Sequence, residues 1–257
     1  MKPFYFGDSS RPLFGIHHPA QGRQQRAGVV ICHPFGQEYL RAHRSLRELG
    51  SRLAGAGFHA LRFDYHTCGD SAGEAAEARV EEWLGDTLAA TLEIRETAGS
   101  PRVALVGLRL GATLAGLAAD RLGGVEALVL WDPILKGATY LEELRAAHAT
   151  WIQEHARGAP ALVGEVLGFP LPEALVSDLA SLDMGGLAHP PARRVLVVSS
   201  DDSKGPPPIW PAAPAETVER RQFPPAPVWL HAEGMERALV PGELLASVVA
   251  WLEGACA

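Results

Sequence analysis

The chain has 257 residues, is 47% hydrophobic and 21% charged, and carries a formal net charge of −7. That size and apolar content suit one globular α/β domain, 1–257, with a large core, and the acidity with scattered Lys and Arg argues against a nucleic-acid partner. Cys32, Cys68 and Cys256 are odd in number and unrelated in spacing, which points away from a disulfide framework or a metal site and toward a reducing, cytoplasmic setting. No apolar run has the length of a signal segment or a membrane span.

Short apolar runs alternate with longer helical patterns, the signature of a sheet built from βαβ units. RPLFGIHHPA and AGVVICHPFG read as two early strands, the second ending at His33-Pro34. Residues 41–56, RAHRSLRELGSRLAGA, carry apolar positions at helical spacing and stop before Gly57, a fitting C-cap. HALRFDY is the next strand and ARVEEWLGDTLAATLEIRETA the next helix. VALVGLRLGATLAGLAA, residues 103–119, then reads as strand, tight turn and buried helix, followed by the strand EALVLWDP. The stretch 137–185 breaks the rhythm: it is helical in pattern with no strand inside it and reads as an inserted cap over the strand ends. RRVLVVSSDDS resumes the sheet, the proline-dense KGPPPIWPAAPAE cannot be regular helix, TVERRQF offers a last strand, and PGELLASVVAWLEG closes the chain as an amphipathic helix.

The turn at 107–111 decides the chemistry. Gly107 and Gly111 stand at the spacing of the G-x-S-x-G elbow, in which small residues flank a strained turn that lifts a serine hydroxyl above the sheet. The middle residue here is Arg109. Together with LFGIHHPA, VVICHPFGQEYLRAHR, LRFDYHTCGDSAGE and LVLWDPILKGATYLEEL, this stretch resembles the α/β-hydrolase superfamily, in particular its serine-aminopeptidase-like branch and the exosortase A system-associated hydrolases. The resemblance covers nearly the whole chain and implies an α/β-hydrolase fold, a mostly parallel central sheet flanked by helices with a small helical cap, and chemistry on ester or acyl bonds.

Carried over residue by residue, the resemblance implies an oxyanion hole from the N–H groups of Phe35, in His33-Pro34-Phe35-Gly36, and of Leu110, after the turn. The acid of a triad falls at Asp201 or Asp202, which are equally ordinary turn formers. For the base, His231 is the only histidine in the loop before the last helix, and the best local match puts Val228 or Trp229 at the catalytic place, with His231 a little beyond it. Arg109 stays protonated and cannot attack a carbonyl. At a helix N-terminus its fork suits a carboxylate or phosphate ligand, unless Asp132, Asp201 or Asp202 fills it as a buried ion pair. Cys68 lies on another loop and reads as a small hydrophobe. YLEELRAAH reads as a solvated helix face, and Trp151, Trp210 and Trp229 either line a pocket or fill core. The expectation is a hydrolase-fold protein that has lost its serine nucleophile and binds a small carboxylate- or acyl-containing ligand under the cap through His33, Phe35, Gly36, Arg109, Leu110, Asp132 and Trp229. It requires no cofactor and no metal. Two alternatives stay open: an enzyme acting on acyl substrates by a non-serine mechanism, and a module that docks a partner protein.

Overall fold

In the computed structural model, residues 1–22, 26–155, 164–200, 207, 209–223 and 240–257 are described. An eight-stranded sheet runs in the order β1 (Lys2–Phe6), β2 (Leu13–His18), β4 (His59–Phe63), β3 (Gly28–Cys32), β5 (Val103–Leu108), β6 (Ala127–Trp131), β9 (Arg194–Ser199), β10 (Val218–Gln222). β2 pairs antiparallel with both β1 and β4, and every other pairing is parallel. The five strands β3, β4, β5, β6 and β9 are buried almost throughout, because helices cover both faces, and they therefore read in sequence as unbroken apolar runs.

Alternation along the strands divides the core in two. Val29 and Ile31 of β3 face α1 (Gly36–Gly55) and α6 (Gly242–Ala255), meeting Leu46, Leu49, Leu53, Leu245 and Leu252. Val30 and Cys32 face α2 (Val80–Ala98) and α3 (Leu110–Leu122), meeting Trp83, Ile94 and Leu114. The period of two in a pleated strand makes this division unavoidable.

Two sequence expectations need correction. α1 begins at Gly36, five residues before the apolar periodicity at 41–56, because its first turn buries Glu38 rather than a hydrophobe. The stretch 137–185 does contain strands: β7 (Glu165–Val166) and β8 (Phe169–Pro170) form a minimal hairpin between α4 (Gly137–His155) and α5 (Glu173–Ser181). Two residues per strand leave no periodicity to read. β1, whose residues are mostly exposed, carries only the three-residue apolar run Phe4–Phe6. Within 137–185, α4 packs on α5, α5 on α2, and a 3-10 turn at Met184–Gly186 on α3. Among the described residues no helix is long and apolar enough to cross a membrane.

Several histidines are wholly or partly buried, which favours their neutral form. Burial first, then neighbouring positive charge, pushes His17 and His18 down to about 4. Burial also holds His33 at about 4 against the opposing pull of Asp64. Between about pH 6.5 and about pH 4 the unfolded chain takes up protons that these native imidazoles refuse, so their stabilising contribution is lost as the pH falls. Asp86 works the other way: burial raises its carboxyl to about 6, so its contribution is lost as the pH rises through that value. With His43, His59 and His66 also lowered by burial, the imidazoles outnumber the raised carboxyls of Asp86 and Glu38, so the urea midpoint is expected to fall from about pH 7 to about pH 5, and His17→Gln to flatten part of that slope. A midpoint constant over this interval would show that the imidazoles titrate normally in the native protein.

Candidate functional site

The turn from β5 to α3 is as tight as its glycines suggest. A Cβ on Gly107 would lie 2.3 Å from Gly111 O, and one on Gly111 would lie 2.4 Å from both Cys32 O and His33 O. No side chain fits at either position. Arg109 at the apex adopts φ 54° and ψ −123°, a conformation costly for any residue with a Cβ and found where the surrounding structure enforces it. Its N–H donates to Trp131 O at 2.9 Å, and its carbonyl accepts from Ala112 N and Thr113 N, so the strained residue is tied to β6 on one side and to its own helix on the other.

The guanidinium of Arg109 is filled from within the protein. Nε donates to Glu38 Oε1 at 2.7 Å and a terminal nitrogen donates to Glu143 Oε2 at 2.7 Å. Tyr140 lies beneath it, its ring centroid 5.6 Å from the guanidinium carbon, and donates its hydroxyl to Glu38 Oε2 at 2.7 Å. Both oxygens of Glu38 are thereby satisfied, which a fully buried carboxylate requires. Burial opposes the charge on Arg109, yet Glu38 and Glu143 outweigh it and hold the guanidinium above its already high ordinary value. Burial raises the carboxyl of Glu38, with Arg109 and the Tyr140 hydroxyl pulling the other way.

These partners were not among the residues expected. The aspartates were the candidates for filling the fork, but Asp132 is engaged elsewhere: Ser200 N donates to its Oδ1 at 2.7 Å, and the Ser200 hydroxyl donates to its other oxygen. Trp131 Nε1 steadies the same hydroxyl at 3.0 Å. The face YLEELRAAH is not simply solvated, since Tyr140 is buried and Glu143, though half exposed, reaches Arg109. The spacing of Tyr140 and Glu143, three apart on one helix face, was a usable signal. For Glu38 the signal was hidden by the late reading of the α1 start.

The other expected positions fall as follows. His33 is buried, stacked on Tyr39 at 3.9 Å between ring centroids, with Nδ1 2.7 Å from Pro34 O. It is a core group and does not present its ring to a cleft. Phe35 is the N-cap of α1 and packs against Trp83 and Phe169, and Gly36 begins the helix. Among the described residues no hydrogen bond engages the N–H of Phe35 or of Leu110. Cys68 has its thiol raised to about 12, chiefly by burial, in keeping with an inert hydrophobe. Trp210 is buried and donates to Leu187 O at 2.9 Å, whereas Trp151 is half-buried and stacks on His155. Asp201, Asp202, Val228, Trp229 and His231 lie outside the described residues. Among the described residues no three His, Cys, Asp or Glu side chains gather as metal ligands.

Comparison with known proteins agrees with this architecture. Residues 23–193 match the serine aminopeptidase S33 family of hydrolases. The chain therefore belongs to that family, within the α/β hydrolases. Similar solved structures include an esterase from Pyrococcus furiosus, at 17% identity and a TM-score of 0.65 over 100% of this chain and 91% of that one. A soluble variant of monoglyceride lipase from Saccharomyces cerevisiae, solved with a substrate analog, matches at 13% identity and a TM-score of 0.70 over 100% and 96%. A Butyrivibrio proteoclasticus protein solved with ferulic acid bound matches at 15% identity and 0.62 over 97% of each. At these identities the likeness establishes the fold. No match is found among curated proteins.

The two ion pairs on Arg109 differ in weight. Glu38 has no exposed side-chain surface while Glu143 is 48% exposed, so the first behaves as a buried pair and the second as a screened surface contact. Arg109→Met should cost about 3–5 kcal/mol by stranding the Glu38 carboxylate, and Glu143→Gln less than about 1 kcal/mol. Glu38→Gln combined with Arg109→Met should recover much of the loss, because a buried pair replaced as a whole leaves no uncompensated charge. Urea denaturation of the three variants checks this. A loss for Arg109→Met no larger than for Glu143→Gln would place the guanidinium in solvent.

Proposed function

We propose that this chain is a member of the S33 family that binds a small acyl- or carbonyl-bearing molecule and does not cleave it by a serine mechanism. The observation that carries the reading is the apex of the β5–α3 turn. There, in place of the serine that the G-x-S-x-G pattern calls for, stands an arginine already neutralised by Glu38 and Glu143. A guanidinium cannot be acylated, and one held by two carboxylates cannot serve as a mobile proton carrier either.

The same arrangement refines the ligand. Two carboxylates face one guanidinium at the apex, so a further carboxylate would meet net negative charge, and a neutral acyl or carbonyl group is favoured over an acid. The N–H groups of Phe35 and Leu110, unengaged among the described residues, are the donors such an oxygen would use. In this reading 1–257 is one domain and 137–185 its cap, with Tyr140 and Glu143 of α4 fastening the cap to Arg109. Three free cysteines fit a reducing, cytoplasmic setting.

The test is covalent labelling with a fluorophosphonate and turnover of p-nitrophenyl esters, with thermal shifts in a panel of small neutral esters, amides and the matching acids. No adduct and no turnover above background are expected. Neutral members should stabilise the fold, by about 2.7 kcal/mol at a hundredfold excess over Kd, and acids at the same concentration less. Stoichiometric labelling, or ester turnover abolished by Arg109→Ala, would overturn the reading.

A further inference from the structure

β1 ends the sheet, and among the described residues nothing pairs with its outer side and no helix packs on it. One residue fixes which of its backbone groups face outward. Pro3 lies opposite Ile16, and a proline has no N–H to exchange, so this is one of the non-hydrogen-bonded positions that alternate along an antiparallel ladder. Lys2, Phe4 and Phe6 therefore bond inward to β2. The C=O of Pro3 and both the N–H and the C=O of Tyr5 point out from the edge.

The side chains at this edge are apolar and uncovered. Tyr5 is 60% exposed and stands opposite Phe14 on the same face, the ring centroids 5.5 Å apart and edge to face. Pro3 stands beside it, exposed, opposite the half-buried Ile16. On the other face Phe4 is only half-buried and lies 5.6 Å from Phe6, which is packed into the core. Lys2 and Asp8, both exposed, flank the aromatic run. Asp8 accepts from the N–H and the hydroxyl of Ser10 at 2.8 Å each, and Arg11, the cation nearest to it in sequence, pairs with Glu82 instead.

We propose that this edge is an interface for a second copy of the chain, with β1 pairing antiparallel to β1 of the partner across a two-fold axis at Tyr5. In that register each Tyr5 N–H donates to the other Tyr5 C=O, and no donor is required of Pro3. Phe4 then faces the partner's Phe6, and Lys2 is brought toward the partner's Asp8, so the strand is complementary to itself in charge as well as in shape. Phe14, Tyr5 and their two-fold mates form one row of rings. An edge proline ordinarily discourages strand addition; here it disfavours the registers centred on Pro3 or on Phe4, which would place the missing donor inside the ladder, and leaves the one centred on Tyr5. So short an interface gives a concentration-dependent dimer rather than an obligate one. The proposal does not depend on the function assigned to the Arg109 turn.

Sedimentation velocity of the full chain over a wide range of concentration provides the test. A reversible monomer–dimer equilibrium is expected. Tyr5→Lys should abolish association, because two ammonium groups would meet at the axis, while an unchanged urea midpoint shows that the exposed position leaves the fold intact. Lys2→Glu should weaken association roughly fivefold, since the two-fold axis doubles each altered pair, and Lys2→Glu combined with Asp8→Lys should restore it. A chain that stays monomeric at every concentration overturns the proposal, and leaves the edge to a different partner or to solvent. A dimer undiminished in Tyr5→Lys overturns it as well. Should Tyr5→Lys fail to fold, a Lys2→Glu loss that the charge exchange does not repair overturns it independently.

Discussion

The buried pairing of Arg109 with Glu38 constrains three parts of the chain at once, because each contributes a group that has no other route to neutrality. Glu38 belongs to the first turn of α1, Arg109 to the turn between β5 and α3, and Tyr140 and Glu143 to α4. Moving α1 or the β5–α3 turn by a few ångströms would leave the Glu38 carboxylate and the Arg109 guanidinium desolvated and unpaired, at a cost of several kcal/mol. That penalty is comparable with the whole margin of stability of an ordinary domain. α4 is held by its packing on α5, with the buried Tyr140 hydroxyl bond to Glu38 and the weaker Glu143 contact adding to it.

The turn that carries Arg109 retains the geometry of a device for presenting a side chain. A positive φ at a residue with a Cβ costs on the order of 1–3 kcal/mol, and two glycines are committed to the close approach of α3 to β3 and to its own first turn. In a serine hydrolase such strain positions a nucleophile. Here the same backbone delivers a guanidinium to the spot where Glu38 and Glu143 converge, and ion pairing there offsets the strain. At the ends of the next two strands, Asp132 accepts from the backbone and the hydroxyl of Ser200.

Most of the fold was legible because buried parallel strands are continuous apolar runs and their crossover helices are periodic: VALVGL, ALVLW and RVLVVS occupy β5, β6 and β9. The unread parts lack those signals for physical reasons. β1 is an exposed edge, β7 and β8 are two residues each, and the first turn of α1 buries an acid where periodicity looks for a hydrophobe. At the site, Arg109 and its strained turn could be read from the spacing of Gly107 and Gly111 alone. Its pairing with them could not, since Glu38 and Glu143 lie 71 and 34 residues away and their convergence is a property of the assembled sheet, even though Tyr140 and Glu143 stand visibly on one helix face. The choice of glutamate over aspartate follows from reach. The nearby aspartate at a strand end, Asp132, turns back onto the backbone of Ser200, as short acidic side chains readily do.

The two buried arginines show how a fold holds charge away from water. Arg109 and Arg62 both stand near the ends of parallel strands and both are largely withdrawn from solvent. Arg109 is matched at hydrogen-bond distance by carboxylates on two neighbouring elements, so its field is cancelled within a few ångströms. Arg62 donates to the neutral imidazole of His18, and the carboxylate of Asp64, two residues further along the chain, balances its charge at longer range. An anion arriving from solution gains little at Arg109, where two carboxylates already stand, and on the function proposed above that charge is what favours a neutral acyl group over an acid at the turn.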